Sequence, residues 1–194
     1  EDHVSFVDLA PTFLEAAGLS RERAGMAEFA GRSLFDIFRT DRSGQVVPDR
    51  DFVLIGMERH DIGRPNDAGY PIRGLVKAGQ LYLENFEPTR WPACNPETGY
   101  LNVDASPTKT LILDARRRTG ADRFWDLCFG KRPPVELYDL GADPDCVRNL
   151  AGEAAFAARR SALREEMYGK LRAQGDPRMF GQGEVFDRYP HANP

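Results

Sequence analysis

The densest chemistry in this sequence lies at 58–67, Glu58-Arg59-His60-Asp61-Ile62-Gly63-Arg64-Pro65-Asn66-Asp67, and runs on into Tyr70-Pro71-Ile72-Arg73. A guanidinium offers parallel N–H donors to a carboxylate or a sulfo group, and an imidazole beside a carboxylate can hold a proton. Such a mixture suits a sulfated or carboxylated sugar better than an apolar ligand. The opposing reading is a solvated loop whose charges pair with one another. On chemistry and proximity the candidate substrate-binding residues are His60, Asp61, Arg59, Arg64, Glu58 and Asn66.

Other chemistries find no support in the residue pattern. The three histidines, His3, His60 and His191, form no HxxxH or HxH pair, and no serine sits in a GxSxG turn. Gly181-Gln182-Gly183 is too short to cradle a phosphate. Asp143, Asp145 and Asn149 resemble part of a calcium loop but lack its Gly and Glu, so they read as a turn leading to a helix cap. Cys94, Cys128 and Cys146 show no CxxC spacing; one Cys128–Cys146 bridge and three reduced thiols both remain open. By physical reading alone, the chain holds a polar loop fit for anion contact and no complete catalytic apparatus or metal-ligand spacing, which makes it a binding or accessory portion.

The elements that must hold the polar loop are legible from hydrophobic patterning. Residues 52–55 form an apolar run that reads as a buried strand, carried on to residue 57 and ending at the loop, where a rigid scaffold commonly presents functional groups. Residues 72–76 and 81–86 flank Lys77-Ala78-Gly79-Gln80 as a hairpin. Residues 136–140 make a fourth short strand. Helices are expected at 4–17, 111–129 and 151–174, the last with Phe156, Leu163, Met167 and Leu171 on one face. Between them, 87–109 is a long aperiodic stretch with Trp91 and Tyr100, the kind of loop that is usually functional. The Gly- and Pro-containing segment 175–194 is expected to lie against the surface. The sum is an α+β fold, a small antiparallel sheet of about four strands packed against a C-terminal helix, with a domain boundary near residue 48.

Composition narrows the classes further. The 194 residues are 41% hydrophobic and 29% charged, ordinary for a globular chain able to bury a core. A formal charge of −4 argues against nucleic-acid binding, which needs a basic face. No apolar run is long enough to cross a bilayer. The chain opens at Glu1, almost within an amphipathic helix, so it is expected to be a piece of a longer protein.

Three motifs now align with a known family. Val4-Ser5-Phe6-Val7-Asp8-Leu9-Ala10-Pro11-Thr12, then Gly31-Arg32-Ser33-Leu34, then Glu136-Leu137-Tyr138-Asp139-Leu140 through Asp143-Pro144 to Asn149-Leu150-Ala151, resemble in this order the C-terminal third of the type I, formylglycine-dependent sulfatases. Within that family, His60-Asp61, Tyr70-Pro71-Ile72-Arg73 and Ser106-Pro107-Thr108 look most like the N-sulfoglucosamine sulfohydrolase (heparan N-sulfatase) branch. The resemblance covers 4–171.

It implies a parent enzyme of the alkaline-phosphatase superfamily that hydrolyses sulfamate or sulfate ester groups on glucosamine-containing, heparan-type glycans. It also implies that 1–48 are the helical end of the parent's α/β domain and 49–194 its C-terminal subdomain. The formylglycine and calcium of such enzymes would belong to the missing N-terminal catalytic domain. Here Cys94 begins Cys-Asn-Pro-Glu-Thr, which lacks the Arg of the C/S-x-P-x-R motif, and no nucleophile is carried over. His60 matches a family His and Asp61 an acidic position. Arg73 matches the Arg of a Tyr-Pro-x-Arg element, while Asp8, Pro11 and Thr12 are expected to shape a helix start. The implied partners are the missing domain and a sulfated glycan, and the implied location is periplasmic, secreted or lysosomal. By itself the chain is expected to be inactive and to expose an apolar surface over 4–38. The rival readings are a phosphonate monoester hydrolase or phosphodiesterase of the same superfamily, and a non-catalytic glycan-binding module.

Overall fold

The computed structural model describes residues 1–60, 62–96 and 99–190. It contains two compact units, one of Glu1–Leu54 with Val76–Ala78 and the other of Ile55–Leu75 with Gly79–Pro194.

The first unit is built around one buried carboxylate. Asp8 stands before helix α1 (Leu9–Ala16) and accepts hydrogen bonds from the backbone N–H of Ser5 at 3.0 Å and of Arg32 at 2.9 Å. The buried Arg50 guanidinium donates to it at 2.9 Å and also to the carbonyls of Arg32 and Ser33. Burial pushes the Asp8 carboxyl up, but these donors outweigh it and hold the group below its ordinary value. Thr12 donates to the Asp8 carbonyl and accepts from Leu34 N–H, which leads into the short helix α2 (Phe35–Phe38). Gly31 is required here, since a Cβ would lie 2.2 Å from the Val7 carbonyl oxygen. The Asp8 and Gly31 motifs are therefore parts of one backbone clamp. On the same unit Phe6, Phe13 and Phe38 are exposed.

Strands β1 (Phe52–Met57), β2 (Ile72–Lys77), β3 (Gln80–Asn85) and β4 (Val135–Asp139) form one sheet in sequence order. The β2–β3 turn has both central residues at positive φ, Ala78 at 48° and Gly79 at 71°, as a two-residue type I′ hairpin demands. Strand β4 runs antiparallel to β3, with Gln80 opposite Asp139 and Glu84 opposite Val135.

In place of the single helix expected over 111–129 there are two, α3 (Pro107–Thr119) and α4 (Arg123–Phe129). Gly120, at φ 73°, ends the first, and the Asp122 side chain caps the second by accepting from Trp125 N–H. Ser106 caps α3 and Pro107 fills its first position, so the Ser-Pro-Thr motif serves as a helix start. Trp91 and Tyr100 of the long aperiodic stretch pack with Ala93, Trp125 and Phe129.

Helix α5 (Ala157–Ala173) buries Leu163, Met167 and Leu171, one residue per turn on one side. Its Tyr168 and Arg164 reach Glu84 of β3, at 2.5 and 3.2 Å. In the turn after β4, Asp143 accepts from the backbone N–H of Val147 and Arg148, and Asn149 brackets β4 through Leu137 N–H and the Val135 carbonyl. Those side chains serve the backbone, as a turn-and-cap reading requires. The three cysteines are free thiols, so the Cys128–Cys146 bridge is not formed. The last helix, α6, is Val185–Arg188.

Candidate functional site

Strand β1 delivers the chain into the polar loop, and the loop's first carboxylate is taken at once. Glu58 receives Arg73 Nη2 at 2.6 Å and Arg178 Nε and Nη2 at 2.6 and 2.7 Å. Arg73 bridges onward to Asp176, with Nε–Oδ2 at 2.5 Å. Burial pushes the Arg73 guanidinium down, but Asp176 and Glu58 outweigh it and hold the charge more firmly than usual. The Glu58 backbone carbonyl also accepts from Tyr70 N–H at 2.7 Å. This cluster clamps the segment after α5 onto the loop, and it leaves Glu58 engaged in positioning.

The other candidate residues are distributed differently. Arg59 donates to the Tyr189 carbonyl, a further tie to the last segment. His60 is exposed, and Asn66 is exposed with φ 57°. Asp61 lies outside the described residues. His60 and Asn66 are thus the two described candidates that face solvent, while Glu58, Arg59 and Arg64 are engaged by protein groups.

Arg64 is 5% exposed. Its Nε donates to the Trp91 carbonyl and Nη2 to the Pro92 carbonyl, both at 2.7 Å, with a longer contact from Nη1 to the Ala68 carbonyl at 3.4 Å. The guanidinium also lies over the Tyr70 ring at 5.6 Å. Among the described residues no carboxylate lies within ion-pair distance of it. Burial pushes its pKa below the ordinary guanidinium value. The side chain forms the wall of a cavity of about 400 Å³ shared with Asn66, Thr89, Arg90, Trp91 and Asn95. Arg90 donates to the Gly69 carbonyl at 2.9 Å and lies 3.4 Å from Asp187 and 3.7 Å from Glu87.

Reading the sequence missed Thr89, Arg90, Trp91 and Asn95 as site residues. Their one signal was position, since they open the aperiodic stretch already expected to be functional. A second buried cluster, Glu136 with Arg132, Tyr138 and Asn85, also escaped notice because Glu136 sits within an apolar strand motif. Among the described residues no group of three or more His, Cys, Asp or Glu could hold a metal ion. No helix among them is long and apolar enough to cross a membrane.

Comparison with known proteins gives the fold and little else. No family model matches the chain, and no curated protein matches it. Among solved structures, a protein in complex with its substrate D-glucosamine-2-N,6-O-disulfate is similar over 88% of this chain, with 17% identity and a TM-score of 0.51. What is shared is the fold. A 2-O GAG sulfatase is similar over 94% of this chain, with 16% identity and a TM-score of 0.49. The chain spans about a quarter of the length of these structures, 24% of the first and 28% of the second.

Proposed function

We propose that this chain is the substrate-recognition portion of a sulfatase whose whole protein hydrolyses sulfamate or sulfate ester groups on glucosamine-containing, heparan-type glycans. The observation that carries the reading is the cationic, partly open loop and cavity after β1, set in a fold shared with a protein whose substrate is D-glucosamine-2-N,6-O-disulfate. The ordered Asp8, Gly31 and Glu136 motifs support it independently of that fold. In this reading His60 and Asn66 meet the sugar's hydroxyl or charged groups, and Asp61 orients His60. Arg59 holds the loop to the last segment and turns its remaining donors toward the ligand. Glu58 acts through Arg73 and Arg178 to fix the loop's base. The nucleophile and calcium belong to the part of the protein outside this chain.

The test is His60→Ala in the longer protein that carries this chain, assayed on a sulfated glucosamine oligosaccharide. Loss of one charge-assisted contact predicts a fall in kcat/KM of about tenfold or more, with an unaltered thermal midpoint because His60 is exposed. Unchanged kinetics would remove His60 from the site. The isolated chain should show no desulfation, and measurable turnover by it would overturn the assignment of the nucleophile elsewhere.

A further inference from the structure

Three arginines of the described chain are buried to a similar depth, Arg50, Arg64 and Arg73, at 4%, 5% and 6% exposure. Arg50 is neutralised by Asp8 at 2.9 Å, and Arg73 by Glu58 at 2.6 Å and Asp176 at 2.5 Å. Arg64 alone of the three meets no carboxylate among the described residues, only carbonyl dipoles and the face of the Tyr70 ring. A buried charge is ordinarily paired, because dipoles recover only part of the hydration it loses. The exception borders a cavity, and the cavity's other cation, Arg90, is held loosely: its carboxylates stand at 3.4 and 3.7 Å, beyond the ~2.7–2.9 Å of a tight ion pair. Asn66 and Thr89, both exposed at the rim, add an amide and a hydroxyl. Positive potential, neutral donors and room for a ligand therefore converge on one concavity.

We infer that this cavity is an anion site that takes a sulfo group of a glycan, with Arg90, Asn66 and Thr89 as its donors and Arg64 as the fixed charge behind them. The glycan rests on the function proposed above, while the anion chemistry rests on the cavity alone. A sulfo group presents three acceptor oxygens in a tetrahedral spread, which suits donors arriving from separate sides of a concavity. A carboxylate presents two oxygens whose lone pairs lie in one plane, a poorer match to donors that are not coplanar. Glu87 and Asp187 flank Arg90 and oppose any anion that does not make direct bonds, so the site favours the ligand that satisfies most donors.

The experiment titrates the longer protein that carries this chain with sodium sulfate, and separately with sodium acetate, at matched ionic strength. Tryptophan fluorescence reports on the Trp91 wall, and calorimetry serves as the independent reading. Saturable sulfate binding is expected, with acetate weaker by about tenfold or more. Arg90→Gln should weaken sulfate binding by a similar factor. Because Arg90 also supports the Gly69 carbonyl, Thr89→Glu is the second variant: it sets a carboxylate at the rim from an exposed position and should likewise weaken binding. Sulfate that fails to saturate, or equal affinity in both variants and the unsubstituted protein, overturns the site. A protein that binds sulfate in the Arg90-dependent way yet desulfates no sulfated glucosamine keeps the site and loses the proposed function. One that turns over such a substrate without the Arg90-dependent binding does the reverse.

Discussion

Arg73 and Arg64 sit nine residues apart on either side of Tyr70, buried to a similar depth, and they do opposite things. Arg73 lies between two carboxylates that are themselves largely buried, and with Arg178 it locks the segment after α5 to the end of β1. Arg64 spends its donors on the carbonyls of Trp91, Pro92 and Ala68 and keeps its charge unneutralised beside a cavity. The difference separates a charge that builds the scaffold from one that projects potential. Depth of burial does not distinguish them; the identity of the acceptors does.

The comparison can be broken most severely at Glu58. Glu58→Ala leaves Arg178 without its carboxylate and Arg73 with Asp176 alone, and should cost about 3–5 kcal/mol, read as a lowered urea midpoint. A loss below about 1 kcal/mol would mean that the cluster is not what fixes the loop. Arg64→Met should cost less, about 1–3 kcal/mol. The carbonyls of Trp91 and Pro92 lose their donors, but removing an unneutralised buried charge returns part of its desolvation penalty. Sulfate should raise the thermal midpoint of the unsubstituted protein and leave that of Arg64→Met unmoved; equal responses would erase the distinction between the two arginines.

Acid sharpens the contrast from the side of the paired charges. Glu136, in the second buried cluster, is pushed up by burial, yet Arg132, Tyr138 and Asn85 outweigh this and hold its carboxyl below the ordinary glutamate value. The unfolded chain therefore binds a proton before the folded one does. The stabilisation is complete above about pH 4.3, the ordinary glutamate pKa, and is lost as pH falls through the lower folded value. Glu136→Gln should flatten that part of the stability curve, and a curve as steep as the parent's would exclude Glu136 from the acid transition. The smallest effect belongs to the cavity rim. Thr89→Glu should change stability by less than about 0.5 kcal/mol, because Thr89 is exposed. A larger loss by thermal unfolding would make the rim part of the scaffold.

Much of the scaffold was legible because its signals are local. The 78–79 turn, the one-sided apolar spacing of α5 and the apolar run of β1 depend on residues within a few positions of each other. The helix break at 120–122 was equally local, a Gly followed by a capping Asp, and it was overlooked because the apolar residues on both sides kept a helical rhythm. The loop at 58–67 was found as a concentration of charge, but its division into parts was not. Glu58 meets Arg178 across 120 positions and Gly69 meets Asp187 across 118, and neither pairing leaves a trace in neighbouring residues.

By itself, then, the sequence determined the four short strands, the hairpin and its turn, the terminal amphipathic helix and the place where polar chemistry concentrates. Each follows from backbone preference or from a periodic apolar face. Only the tertiary structure decided which charges in that place are neutralised. Ion pairing depends on distances of a few ångströms between residues far apart in the chain, and it is this pairing that assigned Glu58 and Arg73 to the scaffold and left Arg64 and Arg90 facing the cavity.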